Sequence, residues 1–305
     1  GVAEDPVSGI YAERGDEVGR VFWHRVDATG RRLALLCTRA GGTLEAAAAP
    51  PGACAAVAQR PGLATIDTGE RITVNDSLPL WAAQLAVFDT ETTGVETDTS
   101  RIVSATLAIL GENGEITERY DWLLNPGVEI PDSAVRVHGI TTEVARSSGI
   151  DAAVGIAQIT DRIAQLIERG LPLVVYNAPY DLSLLAAEQR RYGVAGAAIA
   201  PVLDPLIIDK QLDRFRKGKR TLVAVSEHYG VELGNAHDAG EDAIASGKVM
   251  QHLARKYAST LPDDLEALHA AQAEWARAQA ENFQDYMRRV RDPSFVADGA
   301  WPIRS

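Results

Sequence analysis

The chain has 305 residues and a formal net charge of −12, with 46% hydrophobic and 24% charged side chains, which is enough for two modest domains or one large one in an ordinary globular protein. Forty-two acidic against 30 basic side chains argue against a protein that coats nucleic acid by neutralising phosphates, since that affinity comes from counterion release by Lys and Arg. Two cysteines, Cys37 and Cys54, supply neither a disulfide framework nor a Cys-rich zinc site and point to a reducing cytoplasm, and no run of about 18 apolar residues predicts a membrane span.

Residues 1–76 read as an N-terminal extension of unknown role, either a small accessory unit or a partly disordered segment. Within it, Val21-Phe22-Trp23 and Leu33-Ala34-Leu35-Leu36 predict the two strands of a hairpin turning near Thr29-Gly30. Ala/Pro/Gly-rich sequence follows from Gly41 to Gly62. The pattern then sharpens. Leu85 to Phe88 is a short apolar run suited to a buried strand. Ile102–Leu110 and Ile116–Leu124 predict a second and a third strand, joined by Gly111-Glu112-Asn113-Gly114, whose Asn-Gly pair is a hairpin signal. Ile156, Ile159, Ile163, Leu166 and Ile167 recur at helical spacing. Leu171–Tyr176 and Val202–Ile208 predict the fourth and fifth strands, with helices over about 180–192 and 238–257.

A hairpin followed by alternating helices and strands implies a mixed five-stranded α/β sheet covered by helices. We place this domain at residues 77–258. In the remaining segment, 259–305, Leu265, Leu268, Gln272, Trp275, Gln279, Phe283, Tyr286 and Val290 recur at steps of three and four. They predict one amphipathic helix of about 25–30 residues with a mostly apolar seam. It either packs back on its own domain or docks a partner chain or a second copy.

Three stretches carry carboxylates at strand ends or helix starts. In Phe88-Asp89-Thr90-Glu91-Thr92-Thr93-Gly94, two acids at i and i+2 of a strand face the same side. Like charges beside a buried strand repel and resist desolvation, and hard divalent cations with oxygen ligands would compensate them. A solvated strand end is an equally good reading of this pair alone. In Tyr176-Asn177-Ala178-Pro179-Tyr180-Asp181, the aspartate opens a helix, where a simple capping role also suffices. In His237-Asp238-Ala239-Gly240-Glu241-Asp242, Asp238 is the natural N-cap, whereas Asp242 lies one turn further in, where capping gives it no reason to be.

Together these stretches resemble the DnaQ-like 3′–5′ exonucleases of the DEDDh type, the family that includes the proofreading epsilon subunit of bacterial DNA polymerase III. The first motif matches at 88–94, the second as Asn177-x-x-x-Asp181 and the third as His237-x-Ala239-x-x-Asp242. An intermediate family element, Val137-His138-Gly139-Ile140-Thr141, stands between the first two. The resemblance covers about residues 80–258 and implies a ribonuclease-H-like fold.

It further implies that Asp89, Glu91, Asp181 and Asp242 hold two divalent ions, Mg²⁺ or Mn²⁺. One would lower the pKa of a bound water and the other would stabilise the departing 3′ oxygen, while His237 serves as general base. His138 and Thr92 correspond to positions beside the terminal nucleotide. Arg214-Phe215-Arg216-Lys217-Gly218-Lys219-Arg220, five basic residues in seven, reads as a phosphate-tracking loop or a solvated surface loop. Arg216, Lys217 and Lys219 are the expected substrate contacts. The expected substrate is a single-stranded or frayed 3′ end of DNA. Two alternatives stand: an exoribonuclease of the RNase T or oligoribonuclease kind, and a partner-binding scaffold of the same fold. A polymerase or a second copy is the expected partner of the C-terminal helix.

Overall fold

The computed structural model describes residues 78–304 except 197, 235 and 236, together with the backbone of four strands between residues 10 and 47. The chain divides into two units, Gly1–Ile72 and Thr73–Ser305. In the first, β1 (Ile10–Glu13), β2 (Arg20–Val26), β3 (Arg32–Ala40) and β4 (Thr43–Ala47) form an antiparallel sheet in sequential order. The expected hairpin is present, with Trp23 opposite Leu35. The expected partial disorder and the Ala/Pro/Gly-rich stretch beyond Ala47 lie outside the described residues.

The second unit runs β5 (Leu85–Thr92), β6 (Ile102–Leu110), β7 (Ile116–Asn125), α1 (Asp132–His138), α2 (Thr142–Ser148), β8 (Ile150–Asp151), α3 (Ala152–Glu168), β9 (Leu173–Val174), α4 (Ala178–Tyr192), β10 (Val202–Leu203), α5 (Pro205–Leu212), α6 (Leu222–Tyr229), α7 (Ala239–Lys256) and α8 (Leu265–Val290). Its sheet has the order β10-β9-β5-β6-β7-β8. Strands β5, β6 and β7 are antiparallel, β9 and β10 run parallel to β5, and β8 runs parallel to β7. The sheet is mixed and helix-flanked as expected, but has six strands, because the two-residue β8 adds an edge too short to read in sequence.

Alternation along β5 divides the core between the two faces of the sheet. Ala86 and Phe88 pack with Ile156, Ile159 and Ile163 of α3 and with Leu182 of α4. Leu85 and Val87 pack with Val249, Met250 and Leu253 of α7. Helix α7 lies directly on the strands at Gly247, where a Cβ would stand 2.4 Å from Leu110 Cδ1 and 2.5 Å from Val87 Cγ1. Among the described residues no helix is long and apolar enough to cross a membrane.

Two sequence expectations change. Val202–Ile208 is not one strand: β10 ends at Leu203, Asp204 caps the next helix by accepting from Leu206 N at 3.0 Å, and Pro205 occupies its first turn. Helices α1, α2 and α6, of seven or eight residues, carry too few periodic positions to be legible.

Helix α8 packs on its own unit and explains the glutamine in its seam. Strand β10 is an edge, and an open edge presents unpaired backbone groups. His269 Nδ1 accepts from Val202 N at 3.0 Å, Gln272 Nε2 donates to Val202 O at 3.1 Å, and Gln272 Oε1 accepts from Asp204 N at 2.7 Å. The helix therefore closes the sheet edge with side chains. Gln272→Leu makes the seam more apolar yet leaves two buried backbone groups unpaired, at about 1–3 kcal/mol each. It is expected to lower Tm by several degrees in a thermal melt, whereas a simple hydrophobic seam predicts a rise.

Candidate active site

The period of two that sends Leu85 and Val87 toward α7 carries Asp89 and Glu91 to the same side. Strand β9 pairs only with Ala86 and Val87 of β5, so the β5 edge beyond Val87 has no neighbouring strand there. Asp181, in the first turn of α4, takes that place. Its Oδ1 accepts from Thr90 N at 3.1 Å and from Thr90 Oγ1 at 2.6 Å. A carboxylate thus does what the next rung of a sheet would do.

Asp242 arrives from the other side, in the first turn of α7. Carboxylate oxygens of Asp89, Glu91 and Asp242 all lie within 4.8 Å of one another. Asp238 caps the helix as expected, accepting from Gly240 N at 2.9 Å and Glu241 N at 3.2 Å. One residue earlier, His237 has φ 69°, a conformation that histidine and asparagine tolerate better than most residues. Its N–H donates to Asp242 Oδ2 at 3.3 Å. Asp242 Oδ1 is buried without a hydrogen-bond partner among the described residues.

Asn177, the other non-glycine residue with positive φ (59°) among those described, immediately precedes α4. Its N–H and that of Ala178 donate to the fully buried Asp204 at 3.0 and 2.9 Å. The C-terminal tail reaches the same carboxylate: Trp301 Nε1 lies 3.4 Å from Asp204 Oδ2, and Arg304 N donates to Ser183 Oγ at 2.7 Å. Asp204 therefore anchors the turn from which Asp181 projects.

A cleft of about 480 Å³ takes in Asp89, Glu91, Asp181, Asp242 and His237, with Tyr176, Tyr180 and Arg220 in its walls. Burial, reinforced by the neighbouring carboxylates, holds Asp89 well above the ordinary carboxylate range. Burial, then Asp242 and Asp181, raises Glu91 to about 8. Burial raises Asp181 to about 7 against the opposing hydrogen bonds from Thr90, and burial raises Asp242 too. Without a counter-charge this site keeps protons near neutral pH. The all-oxygen donor set and the unpartnered Asp242 Oδ1 fit a hard divalent cation. Asp89, Glu91 and Asp242 are the residues to hold one. Asp181, with one oxygen committed to Thr90, stands beside them.

The other expected contacts are placed unevenly. The hydroxyls of Thr92 and Tyr180 lie 2.6 Å apart, and both reach the Gly94 carbonyl, at 2.8 and 2.7 Å. His138 lies against the Thr92 backbone, and burial lowers its pKa. Its Nδ1 accepts from Ile140 N at 3.1 Å, while Nε2 is buried without a partner among the described residues. Arg216 is committed to the protein, donating to buried Asp209 at 2.7 Å. Lys217 and Lys219 are exposed on the same loop.

Sequence reasoning gave no role to Asp204, Tyr176, Tyr180 or Trp301, and read Arg220 only as one cation of the basic run. Only the Asp204-Pro205 pair carried a signal, as a helix cap followed by a first-turn proline.

Comparison with known proteins places the chain in a family. The RNase_T family model, described as Exonuclease, matches residues 86–250, just over half of the chain. The DNA polymerase III PolC-type protein of Halalkalibacterium halodurans is 27% identical over 191 residues, covering 62% of this chain and 13% of that protein. A DNA polymerase III subunit epsilon-like protein of Rhodobacter capsulatus is 31% identical over 179 residues, covering 57% of this chain and 24% of that protein. The chain thus matches between 13 and 24% of the length of these two relatives. Among solved structures, the zinc-bound form of the E. coli ExoI–ssDNA complex shares the fold, with TM-score 0.51 and 18% identity over 64% of this chain and 43% of that one.

The raised carboxylates set the sign of a pH dependence. A carboxyl whose folded pKa lies above its unfolded value of about 4 carries a stability cost that grows as pH rises through that interval and is complete above the folded value. The cation-free protein is therefore expected to lose Tm between pH ~5 and ~8. Mg²⁺ or Mn²⁺ should restore it, and more at pH ~8 than at pH ~6. At a hundredfold excess over Kd the gain is about 2.7 kcal/mol, roughly 5–11 °C for a unit of this size. Asp89→Asn should raise the cation-free Tm at the higher pH and remove most of the cation-induced gain. Differential scanning fluorimetry across pH reads both.

Proposed function

The chain belongs to the RNase_T exonuclease family, and we propose that it is a metal-dependent 3′–5′ exonuclease releasing nucleoside 5′-monophosphates from single-stranded or frayed 3′ ends of DNA. The observation that carries this reading is the convergence of Asp89, Glu91 and Asp242 within 4.8 Å of one another, with Asp181 bound to Thr90 beside them.

Asp89, Glu91 and Asp242 would hold one divalent ion, and Asp181 with Asp89 a second, Mg²⁺ or Mn²⁺ being suited to oxygen donors. Such ions, when bound, supply an activated water and stabilise charge on the departing oxygen. The remaining work falls to the chain itself. His237 lines the cleft, and imidazole is the side chain that exchanges protons near neutral pH. A ring nitrogen of His237 takes the proton of the attacking water. The Asp242 contact to its N–H fixes the turn that presents the ring. Tyr180 lines the cleft and its hydroxyl lies 2.6 Å from that of Thr92; the terminal nucleotide would rest beside this pair, with His138 set against the Thr92 backbone behind it. Lys217 and Lys219 would meet phosphates upstream.

The polymerase III names of the relatives suggest a polymerase as partner. The half-exposed Phe283, Tyr286 and Val290 of α8 offer a surface for it or for a second copy. A cytoplasmic setting, as the cysteine count suggests, suits all of this.

Purified protein with Mg²⁺ or Mn²⁺ is expected to shorten single-stranded DNA and 3′-mismatched duplex one nucleotide at a time from the 3′ end. Matched RNA digested faster than DNA would move the assignment to an exoribonuclease, and inertness toward both would overturn it. His237→Ala should lower kcat by about 10²–10⁴-fold with KM little changed and the cation-induced Tm gain retained. An unchanged kcat would remove the histidine from the mechanism.

A further inference from the structure

We propose that the α5–α6 loop, residues 213–220, is a rigid platform for the upstream part of a single-stranded substrate, with Phe215 stacking on a base and Arg214, Lys217 and Lys219 meeting the flanking phosphates. The inference rests on the exonuclease reading and deepens it.

The loop is built around buried charge. Asp209 of α5 is fully buried. It accepts from Arg216 Nη2 at 2.7 Å, from Arg220 Nη1 at 2.5 Å and from the Tyr229 hydroxyl at 2.7 Å. Arg220 also donates through Nη2 to the carbonyls of Asp213 at 2.5 Å and Arg216 at 3.2 Å. The backbone thus wraps around one guanidinium. Two of the five cations are neutralised beneath the loop, leaving Arg214, Lys217 and Lys219 exposed.

Phe215 is 92% exposed, although the loop that carries it is tied down at both ends. A phenyl ring held in water on an ordered loop has given up the burial that normally rewards an aromatic side chain. Cations on both sides of it in sequence make a strand of phosphates and bases the complementary ligand.

The loop also leads into the catalytic cleft. Arg220, Thr221 and Leu222 line it, and the Tyr176 hydroxyl donates to Arg220 O at 2.7 Å, beside the Asn177 turn. Phe215 stands five positions before Arg220, so their Cα atoms are at most ~18 Å apart. A strand whose 3′ end lies among the carboxylates can reach the ring. Stacking suits an acidic chain, since it does not depend on net charge.

The test is binding of a 5′-labelled single strand of ~16 nucleotides, the upper end of one binding groove, measured by fluorescence anisotropy across a salt series. It uses the full chain carrying Asp89→Asn, with Mg²⁺ present. Phe215→Ala is expected to weaken binding about 5- to 150-fold, by the same factor at every salt concentration, with Tm unchanged. Phe215→Trp should restore affinity. Lys217→Ala with Lys219→Ala should instead reduce the slope of log Kd against log salt by about 0.7 per lysine. A single abasic nucleotide scanned along the strand should weaken binding at one position, and that effect should vanish in Phe215→Ala. Phe215→Ala binding as tightly as its parent, or an abasic effect equal in both proteins, overturns the platform while leaving the exonuclease reading intact. A wild-type chain that digests neither DNA nor RNA overturns both.

Discussion

Burying like charges against one another costs free energy that packing has to supply, and this chain does so at one strand end. Asp89 and Glu91 leave β5 on the α7 side, Asp242 meets them there, and Asp181 crosses the strand edge to bond Thr90. Much of the surrounding architecture answers that crowding. Strand β9 stops after Val174, which leaves the Thr90 amide free for a carboxylate rather than a neighbouring carbonyl. Gly247 lets α7 lie flat on Val87 and Leu110, which sets the height at which its first turn delivers Asp242. Two residues with positive φ, Asn177 and His237, bend the chain into the two helices that carry the outlying acids. Conformations of this kind cost of order 1–3 kcal/mol and persist where the surroundings over-determine them.

The surroundings of the Asn177 turn are unusually specific. Asp204 is a buried carboxylate with backbone donors on three sides: Asn177 and Ala178 at the start of α4, and Leu206 in α5. Those bonds favour its ionised form and partly offset the burial that raises it to about 6. Gln272 of α8 accepts from its own amide, and Trp301 of the tail covers it. A residue near the end of the sequence is thereby linked through one carboxylate to the turn that sets Asp181. The tail is part of what holds this turn, being linked through Asp204 by hydrogen bonds to the start of the helix that carries Asp181.

Strong periodicity and punctuation made the central fold legible. Strands β5, β6 and β7, helices α3, α4, α7 and α8, the cap at Asp238 and the hairpin turn at Gly114 all follow from apolar spacing and turn chemistry in the chain. The acids and His237 could be singled out only because three stretches, each explicable alone as a strand end or a helix cap, together resemble one family's ordered motifs. What stayed hidden is non-local. Asp204 looked like the middle of an apolar strand because Val202, Leu203, Ile207 and Ile208 surround it. Its role depends on backbone amides 26 and 27 positions away. Tyr180 and Trp301 become relevant only through folding. Gln272 looked like a polar interruption in a seam until an edge strand was placed beneath it.

The basic run at 214–220 shows how a charge count misleads when pairing is invisible. Five cations in seven residues suggest a field for phosphates, but Arg216 and Arg220 are consumed by Asp209, and Arg216 also lies 3.5 Å from Asp213. Replacing either arginine would remove one of the two cations that pair buried Asp209, so loss of binding in such a variant would report a loosened loop rather than a lost phosphate contact. The net charge of −12 then acquires a physical meaning. An acidic chain has little long-range attraction for a polyanion, so on the exonuclease reading its hold on a strand would have to come from short-range groups. Divalent ions at the carboxylates can supply this at the 3′ end, and an ordered aromatic ring can supply it upstream, where its contribution survives salt that would screen the remaining cations.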